Sequence, residues 1–285
     1  MGDERGEATA SEAVVAVDGR LVPASTASVS AFDHGLTVGD GVFETLQVVR
    51  GVAFAATRHL ARLRASLAGL GIALAVSDAD LVATMAAVIA ANHLDAGRLR
   101  LTVTGGISPL GSERGTAGPT VVVATAPLPA WEPTTAVVTV PWARNERSAV
   151  AGLKTTSYAE NVVALDRAHA QGASEALFAN TLDRLCEGTG SNIFVGVGGR
   201  LVTPPLSSGC LAGITRALVC ELVPVDEVDL PLTDLAGVDE AFLTSSTRDV
   251  QAIASIDGRS LPAPGPLTSA AAAALADLMA CDLDP

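Results

Sequence analysis

Between residues 98 and 104 the chain reads Arg-Leu-Arg-Leu-Thr-Val-Thr, and this alternation constrains the fold more than any other stretch. A period of two is the signature of a strand with one apolar and one polar face. Leu99, Leu101 and Val103 share the first face. Arg98, Arg100, Thr102 and Thr104 share the second, which is either a solvated surface or the wall of a polar cavity. Other stretches carry helical spacing. Leu60, Leu63, Leu67 and Leu70 recur every three or four residues before Gly71, and Ser77 with Asp80 reads as the cap of a second helix. Strand and helix signals are mixed without regular βαβ alternation, which predicts an α+β fold rather than a doubly wound sheet.

Punctuation divides the chain. Residues 1–12 read as a flexible tail. Residues 13–126 form a first α+β domain, and the Pro-rich stretch 127–133 is a linker. Residues 134–285 form a second α+β domain, which contains Lys154. With 49% hydrophobic residues a sizeable core is available to both. The formal charge of −13, with no basic block, argues against nucleic acid as a partner. No apolar run reaches the roughly 18 residues of a membrane span, and the charged N-terminus lacks a secretory pattern, so a cytoplasmic protein is expected. The Cys and His residues show no zinc-site spacing, and no metal is expected.

Four local features carry chemistry. Lys154 is the only lysine among 18 basic residues, and it precedes a predicted helix. A buried lysine has a lowered pKa and can attack a carbonyl to form a Schiff base. Gly213-Ile-Thr215 is a glycine turn opening a helix, whose free N–H groups suit an anion. Glu187 lies at a small-residue turn entering a strand, where a carboxylate can pair with a cationic ring nitrogen. Thr244-Ser-Ser-Thr-Arg248 is a hydroxyl cluster at a strand end, suited to a phosphate. Lysine, phosphate cradle and ring-nitrogen carboxylate together are what pyridoxal 5′-phosphate requires.

At these residues the sequence resembles the class IV, or fold type IV, pyridoxal-phosphate aminotransferases, over nearly all of the chain beyond its first dozen residues. Asp33-His-Gly-Leu-Thr-Val-Gly-Asp-Gly-Val-Phe-Glu-Thr45 resembles the family's N-terminal motif. Arg58-His-Leu-Ala-Arg-Leu63 resembles the helix whose first arginine holds the cofactor phosphate. The resemblance implies that Lys154 is the catalytic Schiff-base lysine and Glu187 the partner of the pyridine nitrogen. It implies that Arg58, Ile214, Thr215, Ser245 and Ser246 bind the phosphate. It also implies a two-domain fold and a homodimer, with an amino donor and a 2-oxo acid acceptor as substrates.

Within the family, Lys154 to Phe178 resembles the D-amino-acid enzymes without a gap. The carboxylate end departs from them. Those enzymes place a tyrosine where Phe43 stands, and an arginine and a histidine where Leu110 and Ser112 align. A desolvated carboxylate needs charge-assisted donors. Arg100 is the first candidate, with Arg98 and Arg114 in reserve, His34 contributing from the N-terminal motif, and Phe43 and Thr247 completing the substrate side. The expected activity is a D-amino-acid aminotransferase of relaxed specificity, extending to (R)-primary amines. An aminodeoxychorismate lyase is the alternative, and a branched-chain L-amino-acid aminotransferase the third reading.

Overall fold

The computed structural model describes residues 13–285, so the tail expected over residues 1–12 lies outside the described residues. Their contacts fall into two units. The first runs to Leu128 and includes Lys154–Ser157 and Asp284; the second comprises Pro129–Leu153, Tyr158–Leu283 and Pro285. The division at Leu128 falls inside the stretch read as a linker.

The first unit is a six-stranded antiparallel sheet. Its strands are β1 (Val14–Val17), β2 (Arg20–Pro23), β3 (Gly41–Val49), β4 (Val52–Ala53), β5 (Gly97–Thr104) and β6 (Val121–Ala126), in the order β2-β1-β6-β5-β3-β4. Helices α1 (His34–Thr37), α2 (Ala56–Leu70) and α3 (Asp78–Ala91) complete it. The alternation of β5 works as the sequence predicts at its core face: Leu99, Leu101 and Val103 are fully buried, and Leu60, Leu63, Leu67, Leu81, Met85 and Val88 belong to the same apolar cluster. Each such side chain contributes about 1.5–3 kcal/mol. Ser77 caps α3 by accepting from Asp80 N–H, and Gly71 ends α2 at a left-handed φ of 68°.

The second unit is built on nine strands: β7 (Thr134–Arg144), β8 (Glu175–Asn180), β9 (Leu185–Gly188), β10 (Asn192–Val197), β11 (Arg200–Thr203), β12 (Asp226–Glu227), β13 (Glu240–Ser245), β14 (Asp249–Ile256) and β15 (Arg259–Ser260). The order is β12-β11-β10-β13-β14-β7-β8-β9, with β15 beside β14. Parallel pairs at β14/β7 and β7/β8 stand among antiparallel ones. Helices α4 (Ala159–Ala170), α5 (Ile214–Leu222) and α6 (Pro266–Cys281) accompany this sheet. Strand β8 is buried at every residue, because Leu177 belongs to one apolar cluster while Ala176 and Phe178 belong to another with Ala164 and Ala168 of α4. Strand β9, which carries Glu187, is absent from the sequence reading; four residues are too few to show a period.

Lys154 departs from its expected domain. The segment Lys154–Ser157 sits against the start of β3, where Thr155 bridges Val42 in antiparallel fashion. Phe43 N–H donates to the Lys154 carbonyl at 3.0 Å, and Thr156 N–H to the Gly41 carbonyl at 2.8 Å. Lys154 N–H donates to Ser66 Oγ of α2 at 3.1 Å. Backbone pairing therefore assigns the lysine to the first unit, although its chain neighbours on both sides belong to the second. Among the described residues no helix is long and apolar enough to cross a membrane, no acidic, His or Cys cluster could hold a metal, and all four cysteines are free.

Candidate active site

In the first unit, the Phe43 ring organises the site. It is 5% exposed, with the Lys154 ammonium 4.4 Å and the Arg100 guanidinium 3.7 Å from its centroid. Both distances are within cation–π range. Arg100 is exposed and also donates from Nε to Thr102 Oγ1 at 3.2 Å, two residues along the same face of β5. The four polar residues of β5 are graded: Arg98 and Arg100 are exposed, Thr102 is half-buried, and Thr104 is buried with its hydroxyl on Asp33 at 2.8 Å.

Beneath Phe43 the next residue, Glu44, points to the helical side and is fully buried. It accepts from His59 Nδ1 at 2.7 Å and from Arg62 Nε and Nη2 at 2.9 and 2.6 Å. Burial pushes the Glu44 carboxyl up, but the Arg62 and His59 bonds outweigh it and bring the carboxyl down to about 2. Burial pushes His59 down, against the pull of Glu44, and the positive charges of Arg62 and Lys154 add to the fall. Arg58 stands in the first turn of α2, on the helix this network anchors.

His34 and Arg114, both weighed for the substrate carboxylate, have other partners. His34 is 1% exposed, with Nδ1 3.4 Å from Asp40 Oδ2 and Nε2 3.2 Å from the Pro109 carbonyl. Arg114 donates to both Asp40 oxygens, from Nε at 2.7 Å and Nη2 at 2.6 Å. The Arg114 bonds hold the Asp40 carboxyl below its ordinary range, against the opposing effect of burial.

In the second unit, Glu187 has a donor on each oxygen: Arg144 Nε at 3.2 Å on Oε1 and Leu211 N–H at 2.9 Å on Oε2. Arg144 also reaches Glu160 at 2.6 Å and lies 4.0 Å from the Phe178 ring centroid. Both oxygens therefore accept hydrogen bonds, and a carboxylate is the group that a cationic ring nitrogen needs. Helix α5 starts at Gly213, which has no side chain with which to cap it, while Ile214 and Thr215 are 9% and 7% exposed. A Cβ on Gly213 would meet Asn192 Oδ1, so a larger residue here would have to displace the Asn192 side chain. Ser245, Ser246 and Thr247 are half-buried in the turn after β13. A further pair links two of these turns: Glu175, 2% exposed, accepts from Thr189 N–H at 2.9 Å, from the Thr189 hydroxyl and from Ser191 Oγ at 3.0 Å, and lies 3.5 Å from Arg248 Nη2.

Sequence reasoning passed over Glu44, Arg62, Arg144 and Glu175. Glu44 and Arg62 lie inside the two N-terminal motifs, so their positions were visible but not their pairing. Arg144 and Glu175 had no local signal, since their partners are distant in the chain.

These groups are of the kinds that a lysine-linked, phosphorylated, ring-bearing cofactor requires, which points to a class of enzyme. The comparisons make it specific. The family described as amino-transferase class IV matches residues 41–256. A D-alanine aminotransferase of Bacillus licheniformis is 33% identical over 265 residues, covering 89% of this chain and 93% of that protein. An aminodeoxychorismate lyase of Bacillus subtilis is 30% identical over 249 residues, covering 83% and 84%. The crystal structure of a branched-chain aminotransferase from Thermoproteus uzoniensis with norvaline superposes with a TM-score of 0.86 at 28% identity, covering 93% and 94%. The chain belongs to the class IV aminotransferases; it is a pyridoxal-phosphate-dependent transaminase of fold type IV.

The second unit fits that cofactor on its own evidence. A buried, uncapped helix start is a site an anion stabilises. Next to Ser245, Thr244 Oγ1 is buried without a hydrogen-bond partner among the described residues, so the turn holds unused polar capacity.

Proposed function

We propose that the chain transfers the amino group of a D-amino acid to a 2-oxo acid, with Arg100 receiving the donor carboxylate and (R)-primary amines accepted as a weaker class. The observation that carries this reading is the Phe43 ring with Lys154 Nζ and the Arg100 guanidinium both against it. One rigid ring then sets the spacing between the group that moves a proton and the group that holds a carboxylate. The D-alanine aminotransferase relative supports the choice of donor.

Pyridoxal 5′-phosphate, when bound, supplies the electron sink that makes the donor's Cα–H acidic. The chain supplies the rest. Lys154 Nζ takes the proton from the donor's Cα and returns one on the other side of the transfer. Glu187, oriented by Arg144 and Leu211 N–H, would hold the pyridine nitrogen protonated. Arg58, Ile214, Thr215, Ser245 and Ser246 would hold the phosphate, with Thr247 toward the substrate. His34 and Arg114, already committed to Asp40, serve the loop rather than the donor.

The working enzyme is a cytoplasmic homodimer in this reading. Phe32 and Leu36 supply exposed apolar side chains of the kind found in interface cores.

The test is the near-visible spectrum of the purified holoenzyme with D-alanine and no acceptor. Loss of the cofactor band with D-alanine, and none with L-alanine, is expected. Lys154→Ala should cut turnover by at least about a thousandfold, as loss of a residue that bonds the cofactor and moves the proton does. A band unmoved by either alanine, with pyruvate released from aminodeoxychorismate, would give the site to the lyase reading that the Bacillus subtilis relative represents.

A further inference from the structure

The loop joining β5 to β6, residues 105–120, is tethered at its base, middle and tip by one short segment, residues 33–40. At the base, Asp33 is fully buried and accepts from the hydroxyls of Thr104 and Thr120, each at 2.8 Å, so one carboxylate closes both ends of the loop. At the middle, Asp40 takes two bonds from Arg114 at 2.6 and 2.7 Å, while Arg114 Nη1 donates to the Gly71 carbonyl at 3.2 Å. Toward the tip, the buried His34 ring spans from Asp40 to the Pro109 carbonyl. Backbone bonds run beside these: Gly105 N–H to the Asp40 carbonyl at 2.8 Å, His34 N–H to the Gly106 carbonyl at 2.9 Å, and Ser108 N–H to the Phe32 carbonyl at 3.1 Å. A Cβ on Gly105 would lie 2.4 Å from Asp40 Oδ2, so the approach depends on glycine there.

The loop leaves the sheet beside the lysine. Thr104, its first anchor, pairs with Gly41, and the Gly41 carbonyl accepts from Thr156 N–H of the lysine segment. Between the tethers Leu110 is 74% exposed, and Ser112 is exposed too. Ordering such a protruding segment at the moment of binding would cost affinity.

We propose that Asp33, His34, Asp40 and Arg114 form a clasp that holds this loop ordered before substrate binds and thereby sets the affinity for the amino donor. They are positioning residues, and the inference rests on the reading of the chain as an amino-acid aminotransferase. The carboxylate of Asp40 is the hub, since it alone joins the His34 ring to the Arg114 guanidinium. Its removal releases the middle and the tip together, while the Asp33 base remains.

Two variants of the holoenzyme test it, Asp40→Asn and Arg114→Gln, the latter at a side chain 36% exposed that can be changed without emptying the core. The first readout needs no turnover. Trypsin cleaves after arginine, and cleavage at Arg114, giving fragments 1–114 and 115–285, should be about tenfold faster in Asp40→Asn than in the parent, following the population of the open loop. The second readout is kinetic, with whichever donor reduces the parent's cofactor band. Both variants should raise KM about tenfold with kcat within about twofold, and Arg114→Lys should recover part of the loss. Unchanged cleavage at Arg114 would refute the clasp whatever the substrate proves to be. A freed loop with unchanged KM would refute its role in affinity. If Arg114 itself received the donor, Asp40→Asn would release it and lower KM while Arg114→Gln raised it, and that pattern would also overturn the proposal. Failure of D-alanine as donor would alter the functional reading alone.

Discussion

Each unit buries a glutamate, and the two carboxylates are met by different partners. Glu44 in the first unit is met by a guanidinium and a ring N–H, with Arg62 gripping it at two points and His59 at a third. Glu175 in the second unit is held mainly by dipoles: Thr189 N–H and hydroxyl, Ser191 Oγ and, at 3.3 Å, Ala176 N–H. Its one cation, Arg248, stands off at 3.5 Å and rests on the Trp131 ring at 3.7 Å. The difference follows from what each supports. Glu44 braces β3 against α2, two regular elements whose backbone groups are already paired, so only side chains remain to meet the charge. Glu175 braces the turn at residues 188–191, whose N–H and hydroxyl groups need partners themselves. A carboxylate can satisfy a turn and be satisfied by it.

The largest separation between the two should come from truncation. Glu44→Ala leaves the Arg62 guanidinium beside an empty site and should cost roughly 3–5 kcal/mol in urea unfolding. Glu175→Ala strands hydroxyls and an N–H, at about 1–3 kcal/mol. Equal losses would remove the distinction.

Acid should sharpen it. Glu44 has its carboxyl at about 2 in the fold against an ordinary 4.5. A depressed carboxyl stabilises the fold above its ordinary value, and that contribution disappears as pH falls from 4.5 towards 2; it amounts to roughly 3 kcal/mol. His59, also depressed, acts in the same direction from its ordinary 6.5 downward, because the unfolded chain then binds the extra proton. Urea midpoints followed down the pH scale should therefore fall for the parent and be flatter for Glu44→Gln. A parallel fall in both would assign the acid sensitivity elsewhere.

The smallest effect expected is on the cofactor. Glu175→Gln keeps the shape but weakens the link between turn 188–191 and Arg248, next to Thr247. Cofactor affinity, read from band recovery after dialysis and reconstitution, should drop about threefold to tenfold, or roughly 1 kcal/mol, with the fold intact. An unchanged affinity would confine Glu175 to stability.

Much of this was legible in advance, for reasons particular residues make plain. Strand β5 could be read because one of its faces is polar, so burial alternates along the chain. Helix α3 could be read because its cap and first turn are local. Strand β8 was identifiable only as a short apolar run, since it is covered on both sides and keeps no period. The family was legible because its motifs stand in a fixed order along the chain, Lys154, Glu187, Thr215 and Ser245 among their residues.

What the sequence alone determined, then, is the family, the cofactor and the α+β character, each a matter of periodicity or of ordered motifs. Tertiary structure decided the pairings. It placed Lys154 in the first unit through its bonds to Phe43 and Ser66, and through the bond of Thr156 N–H to Gly41. It also matched Arg62 to Glu44 and Arg144 to Glu187, and gave Arg114 to Asp40 rather than leaving it for substrate. An arginine carries the same charge at every position. Which carboxylate it meets depends on strand register and helix packing, and those are set by contacts between residues far apart in the chain.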